Sequence, residues 1–134
     1  MKLVLSIFLG IFLVFPTFAK SSSVELTVNP ATLETQSSRY YYYNFGNVRV
    51  NWSEWADIYL RNTGNDPLNV RGVFIMGSAY WAWSNCPNLL YPGQSCLTRV
   101  EFRPWHEGYF TGRLRFAFPY DSIYVDLYGW GVRW

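Results

Sequence analysis

The chain is poor in the residues from which most active sites are made. It has one histidine, His106, and two cysteines, Cys86 and Cys96. One histidine and two cysteines do not make up the four soft donors of a structural zinc site. No nucleophile elbow, phosphate-cradling glycine loop, HExxH pair or calcium loop is present, and nothing implies a cofactor. His106 is the one candidate general base, with Glu107, Glu101 and Asp121 the nearest acids in sequence. A lone histidine beside Trp105 lacks the positioned partner that proton transfer needs, so a small secreted hydrolase is a poor reading. Charge is scarce too: 15% of residues are charged, eleven basic against nine acidic, and the arginines are scattered singly. Nucleic-acid binding needs a concentrated positive face and is not expected.

Long apolar runs are equally few. The one that stands out, Leu3 to Phe15, follows Met1-Lys2 and precedes Pro16 and the small residues Thr17 and Ala19, which is the layout of a secretory signal peptide. Thirteen residues would make a helix of roughly 20 Å, short of the ~30 Å hydrocarbon core, so cleavage after Ala19 is expected and no span remains in the mature chain. Removing residues 1–19 from 134 leaves 115, residues 20–134, the size of one domain with one core. Export to the periplasm or beyond brings an oxidising compartment, in which the even pair Cys86 and Cys96 is expected to close. Asn51-Trp52-Ser53 fits the glycosylation acceptor pattern.

What the chain does have is alternation. No window shows a 3.6-residue apolar stripe, whereas period two recurs throughout. Val24, Leu26 and Val28 alternate with polar residues, as do Val48 and Val50, then Ala56, Ile58 and Leu60. The turn Asn62 to Leu68 follows, and Arg71-Gly72 shifts the parity between Val70 and Val73 as a bulge would. In the last third Leu114, Phe116 and Phe118 alternate, then Ile123, Val125 and Leu127. Folded about Pro119 to Ser122, these predict a hairpin whose partners sum to 241, with Arg115 opposite Asp126 and Arg113 opposite Tyr128. Turn signals every eight to twelve residues predict an all-β, antiparallel sandwich of about seven strands, without internal repeats. Low complexity is confined to Ser21–Ser23 and the run Tyr40 to Tyr43.

Four segments carry a resemblance: the turn NTG-x-x-PL at 62–68, PG-x-SC at 92–96, Phe102, Pro104, Gly108 and Gly112, and the closing Leu127, Gly129 and Gly131. Together they resemble the ASH-type immunoglobulin-like domains, above all the bacterial choice-of-anchor D group, over roughly residues 24–132. The resemblance implies a PapD-like sandwich, kin also to major sperm protein, with structural, adhesive or scaffolding work and no shared active site. Such domains often sit in long multidomain proteins. Each segment also has a physical reading: Pro92-Gly93 suits a type II turn between the two cysteines, and Gly129 and Gly131 allow a close approach or a kink.

Aromatic residues are abundant: seven Trp, eleven Tyr and ten Phe make up 21% of the chain. Tyr124, Tyr128 and Trp130 share the outward parity of the final strand, Tyr59 shares it on an earlier one, and Trp81 and Trp83 lie on one side of theirs. With Arg113 and Arg115 across the hairpin, Tyr124, Tyr128 and Trp130 are the candidate partner-binding residues, for a protein or a cell-envelope glycan. The competing class is a small outer-membrane β-barrel, because Tyr128, Trp130, Val132 and Trp134 alternate as in a barrel's last strand. Eight strands of about ten residues plus loops would strain 115 residues.

Overall fold

A computed structural model describes residues 24–29, 33–35 and 39–134. The segment read as a signal peptide, its expected cleavage point and Ser21–Ser23 lie outside the described residues. The elements are β1 (Val24–Asn29), β2 (Glu34–Thr35), β3 (Tyr40–Arg49), β4 (Glu54–Asn62), β5 (Leu68–Asn69), β6 (Gly72–Met76), β7 (Tyr80–Ser84), β8 (Leu89–Leu90), β9 (Ser95–Phe102), β10 (Gly108–Ala117) and β11 (Ser122–Val132). Three of these have only two residues, so eight longer strands build the sandwich. One sheet runs β1-β4-β9-β7, the other β2-β3-β11-β10-β6, and β5 pairs with β8 in a small ribbon.

The alternation read from the sequence is the alternation of burial. On β4, Ala56, Ile58 and Leu60 point inward; on β9, Val100 and Phe102; on β10, Leu114 and Phe116; on β11, Val125 and Leu127. All of these are buried in a single core. A fully buried side chain of this kind stabilises by about 1.5–3 kcal/mol, and here the two inner faces supply them in matched rows. The two sheets end in separate edge strands, so among the described residues the molecule is an open sandwich and the barrel reading falls.

Three expectations need correction. The final hairpin pairs Leu114 with Val125, Phe116 with Ile123 and Arg113 with Asp126, so partners sum to 239. The backbone N–H of Phe118 donates to the carbonyl of Asp121 at 2.9 Å, so Phe118 belongs to the turn rather than the ladder. A slip of two residues keeps every side chain on its face, which is why apolar patterning did not detect it. Second, the pairing is not antiparallel throughout: β3 lies parallel to β11 from Tyr40↔Tyr124 to Arg49↔Val132, with a register shift opposite Tyr128 and Trp130. The tyrosine run is therefore the start of a ten-residue strand. Third, Arg71-Gly72 is where the chain changes partners. Val70 N–H donates to Asn88 O at 2.8 Å, beside the small ribbon, and Arg71 N–H donates to Ala117 O at 2.7 Å, at the end of β10.

The motif segments hold one corner together. Asn62 is buried at 1% exposure, and its amide donates to Asp66 O and Leu90 O, both at 2.8 Å, while its Oδ1 accepts from Gly64 N–H at 2.9 Å. Its backbone exchanges bonds with Gly93 and Gln94. One side chain thus ties the NTG turn to the PG turn. In that second turn Gln94 N–H donates to Tyr91 O at 2.9 Å and Gly93 has φ 85°, the positive angle that a type II turn demands. Cys86 and Cys96 are bonded and continue the β7–β9 ladder, whose last pair is Ser84↔Thr98. At the far end of the sandwich, a Cβ on Gly131 would collide with the His106 carbonyl and Pro104, and one on Gly129 with the ring of Phe102. The close approach read from these glycines is therefore present, to a backbone in the first case and to an aromatic ring in the second.

Candidate functional site

The outer face of the five-stranded sheet is built by the alternate positions of four strands. β3 supplies Tyr40, Tyr42 and Asn44; β11 supplies Tyr124, Asp126, Tyr128 and Trp130; β10 supplies Tyr109, Thr111, Arg113 and Arg115; and β6 supplies Phe74 and Met76. Register sets these into rows across the sheet. Tyr40, Tyr124, Arg115 and Phe74 form one, Tyr42, Asp126, Arg113 and Met76 the next, and Tyr109 with Trp130 a further one.

The rings touch one another along this face. Tyr40 stacks on Tyr124 with centroids 5.2 Å apart, and Tyr128 stacks on Tyr109 at 6.1 Å. Tyr109 also meets Trp130 at 4.7 Å, and Tyr42 sets its edge to Tyr128 at 6.2 Å. Tyr42, Asn44, Tyr109, Tyr128 and Trp130 line one shallow depression, and a second, bounded by Met76, Thr111, Arg113 and Asp126, shares Tyr128 with it. Between the aromatic groups lies a charge pair: Arg113 Nε donates to Asp126 Oδ1 at 2.6 Å. That bond, more than any other influence, holds the Arg113 guanidinium above its ordinary pKa. Burial first and the Asp126 carboxylate second raise the Tyr128 phenol, which stays a neutral hydrogen-bond donor at physiological pH.

All five candidate residues, Arg113, Arg115, Tyr124, Tyr128 and Trp130, share this face. The contacts among them differ from those the sequence predicts. Arg113, not Arg115, holds Asp126, and its guanidinium lies 4.8 Å over the ring of Tyr124. Arg115 lies 4.7 Å over Phe74 and donates to the Ser122 hydroxyl at 3.3 Å. Tyr40, Tyr42 and Tyr109 belong to the same surface and were missed. The signal for Tyr40 and Tyr42 was the alternation within the tyrosine run, where Tyr43 is buried and Tyr40 exposed. Conversely Tyr59, Trp81 and Trp83 lie on β4 and β7, in the other sheet, and form no part of this surface.

His106 is exposed; its Nδ1 contacts the carbonyl of Glu107 at 2.6 Å, and its ring packs against Trp105 at 4.2 Å and Phe110 at 4.7 Å. Those contacts are packing and local capping. Among the described residues no three His, Cys, Asp or Glu side chains gather as a metal site would require.

The model of the HYDIN/CFA65/VesB-like Ig-like domain matches residues 38–129, more than half of the chain. The chain belongs to that family. No curated protein matches in sequence. Among solved structures, the fold is similar to that of part of the secreted serine protease VesC from Vibrio cholerae, with 18% identity and TM-score 0.50 over 66% of this chain and 21% of that one. A protein of unknown function from Porphyromonas gingivalis W83 has 18% identity and TM-score 0.59 over 80% of this chain and 46% of that one. The ASH/PapD-like domain 7 of human CEP192 has 14% identity and TM-score 0.54, covering 91% of this chain and 94% of that domain. The ASH and PapD-like resemblance is thus upheld as fold. The chain spans about a fifth of VesC and about half of the Porphyromonas gingivalis protein, so the same fold occurs within longer chains.

Proposed function

We propose that the protein is a non-catalytic binding module of the bacterial cell envelope or the secreted fraction, and that it holds a protein or envelope glycan on the outer face of its five-stranded sheet. The observation that carries this reading is the make-up of that face: two strings of touching groups, Tyr40–Tyr124–Arg113 and Tyr42–Tyr128–Tyr109–Trp130, lie on it from three strands, with Trp130 46% and Tyr109 50% exposed. Surfaces of Tyr, Trp and Arg around a satisfied charge pair are where a few side chains carry most of a binding energy. The disulfide supports an extracytoplasmic setting, and the occurrence of the fold in a secreted protease supports carriage outside the cell. The test is capture of partners from cell-envelope extract, with a glycan array beside it, using the wild type and Trp130→Ala. Loss of a specific protein or glycan with Trp130→Ala supports the reading. Equal capture by both sinks it.

A further inference from the structure

The four-stranded sheet has an outward face of its own, and its chemistry is different. Across β4, β9 and β7 the register sets Trp55, Glu101 and Trp81 in one row, and Asp57, Arg99 and Trp83 in the next. The second row is complete in itself, because Arg99 grips Asp57 through two bonds of 2.7 and 2.9 Å. The first row has the tryptophans and the carboxylate but no cation. Glu101 accepts from the Ser53 hydroxyl through Oε2, and among the described residues it forms no ion pair; the other pair on this face joins Arg61 to Glu25. Arg103, just past the end of β9, forms none with it either. Trp55 and Trp81 are 52% and 50% exposed.

We propose that this row is a seat for an arginine side chain of a partner polypeptide, with the guanidinium between Trp55 and Trp81 and its N–H groups on the Glu101 carboxylate. Neighbouring strands are ~4.8 Å apart, so the two tryptophans start about 10 Å from each other with Glu101 midway. A flat cation in that gap lies within the ~6 Å reach of both rings. The molecule uses the same contact elsewhere: its own arginines cover Trp52, Tyr124 and Phe74 at 5.0, 4.8 and 4.7 Å. Among the described residues no arginine covers Trp55 or Trp81. Arginine fits better than lysine because its plane stacks on a ring while its edge donates to a carboxylate, and because it is less strongly hydrated. A spherical quaternary ammonium wants an enclosing cage, which an open sheet does not offer.

The experiment is titration of the protein with acetyl-Gly-Arg-Gly-amide, its lysine counterpart and a chito-oligosaccharide, followed through the indole N–H resonances of Trp55 and Trp81. The arginine peptide should shift both saturably, and bind roughly fivefold tighter than the lysine peptide. Glu101→Gln and, separately, Trp81→Ala should each weaken it about tenfold, while Trp130→Ala, on the opposite face, should leave it unchanged. The proposal is overturned if the arginine peptide produces no saturable shift, if both variants bind it as the wild type does, or if the oligosaccharide alone moves these resonances.

Discussion

Gly129→Ala offers a direct test of how the two sheets meet. A Cβ at this position of β11 would lie closer than 3.0 Å to three ring atoms of Phe102, across the core on β9. That ring cannot retreat: it is fully buried, stacked on Tyr80 at 4.9 Å and flanked by Phe45 at 5.5 Å and Phe110 at 6.0 Å. Tyr80 is itself fixed, since its hydroxyl donates to Phe110 O at 3.1 Å. Replacing glycine in a strand should otherwise stabilise by about 0.4–1 kcal/mol through the unfolded chain. Overpacking a filled core costs about 1–3 kcal/mol, so the clash wins. A net loss of about 1.3 kcal/mol should lower Tm by roughly 4–6 °C in a domain near this size. Phe102→Leu removes the outer ring atoms that the new methyl would strike. In that background Gly129→Ala should be neutral or slightly stabilising, giving a coupling of about 2 kcal/mol by urea unfolding. If Gly129→Ala costs the same in both backgrounds, the account of the inter-sheet contact is wrong.

Asn62→Ala orphans two carbonyls and an N–H at once and should cost about 3 kcal/mol in chemical denaturation, far more than an exposed Asn→Ala. Non-reducing alkylation and mass spectrometry should find no free thiol at Cys86 or Cys96, and Cys96→Ser with Cys86→Ser should lower stability by about 2–3 kcal/mol on the chain-entropy account. On the outer faces, Trp130→Ala should leave Tm nearly unchanged, whereas Phe116→Ala should cost about 3–5 kcal/mol. The bond from Arg99 lowers the Asp57 carboxyl below its ordinary value of 3.8. Its small, solvent-screened contribution is complete above that value and disappears as pH falls through the folded pKa. Wild type and Asp57→Asn should accordingly converge in stability on acidification.

Faces were legible in the sequence and neighbours were not. Alternation correctly turned Ile58, Leu60, Phe116 and Leu127 inward and Arg113, Tyr124 and Trp130 outward, because one inward face must be apolar whatever it pairs with. Register is a different quantity. Arg113–Asp126 and Arg115–Asp126 are both opposite-charge pairs on the same face, and only the Phe118–Asp121 turn bond chooses between them. Strand order is further still from composition: nothing in Tyr40–Arg49 announces a parallel neighbour more than eighty positions away, so Tyr40 and Tyr42 were not joined to Tyr124 and Tyr128. For the same reason parity alone could not say that Tyr59, Trp81 and Trp83 stand on the other sheet. The buried role of Asn62 was hidden because a turn asparagine ordinarily faces water.

The order of the five-stranded sheet places its last strand in the middle. β11 is the shared partner of β3 and β10, and those two interfaces dominate the sheet. A chain delivered from its N-terminus can make the β1–β4–β9 ladders early, yet β3 has no long partner until residues 122–132 arrive. Through that interval Tyr41, Tyr43, Leu114 and Phe116 remain uncovered, and the edge of β3 is open to any extended strand nearby. The domain is thus obliged to close late and non-locally, which makes it slow to fold and vulnerable to aggregation before closure. Any chain cut short of Ser122 loses the central strand and with it both faces at once: the apolar rows that hold the sandwich together, and the outward row on which Tyr124, Tyr128 and Trp130 stand.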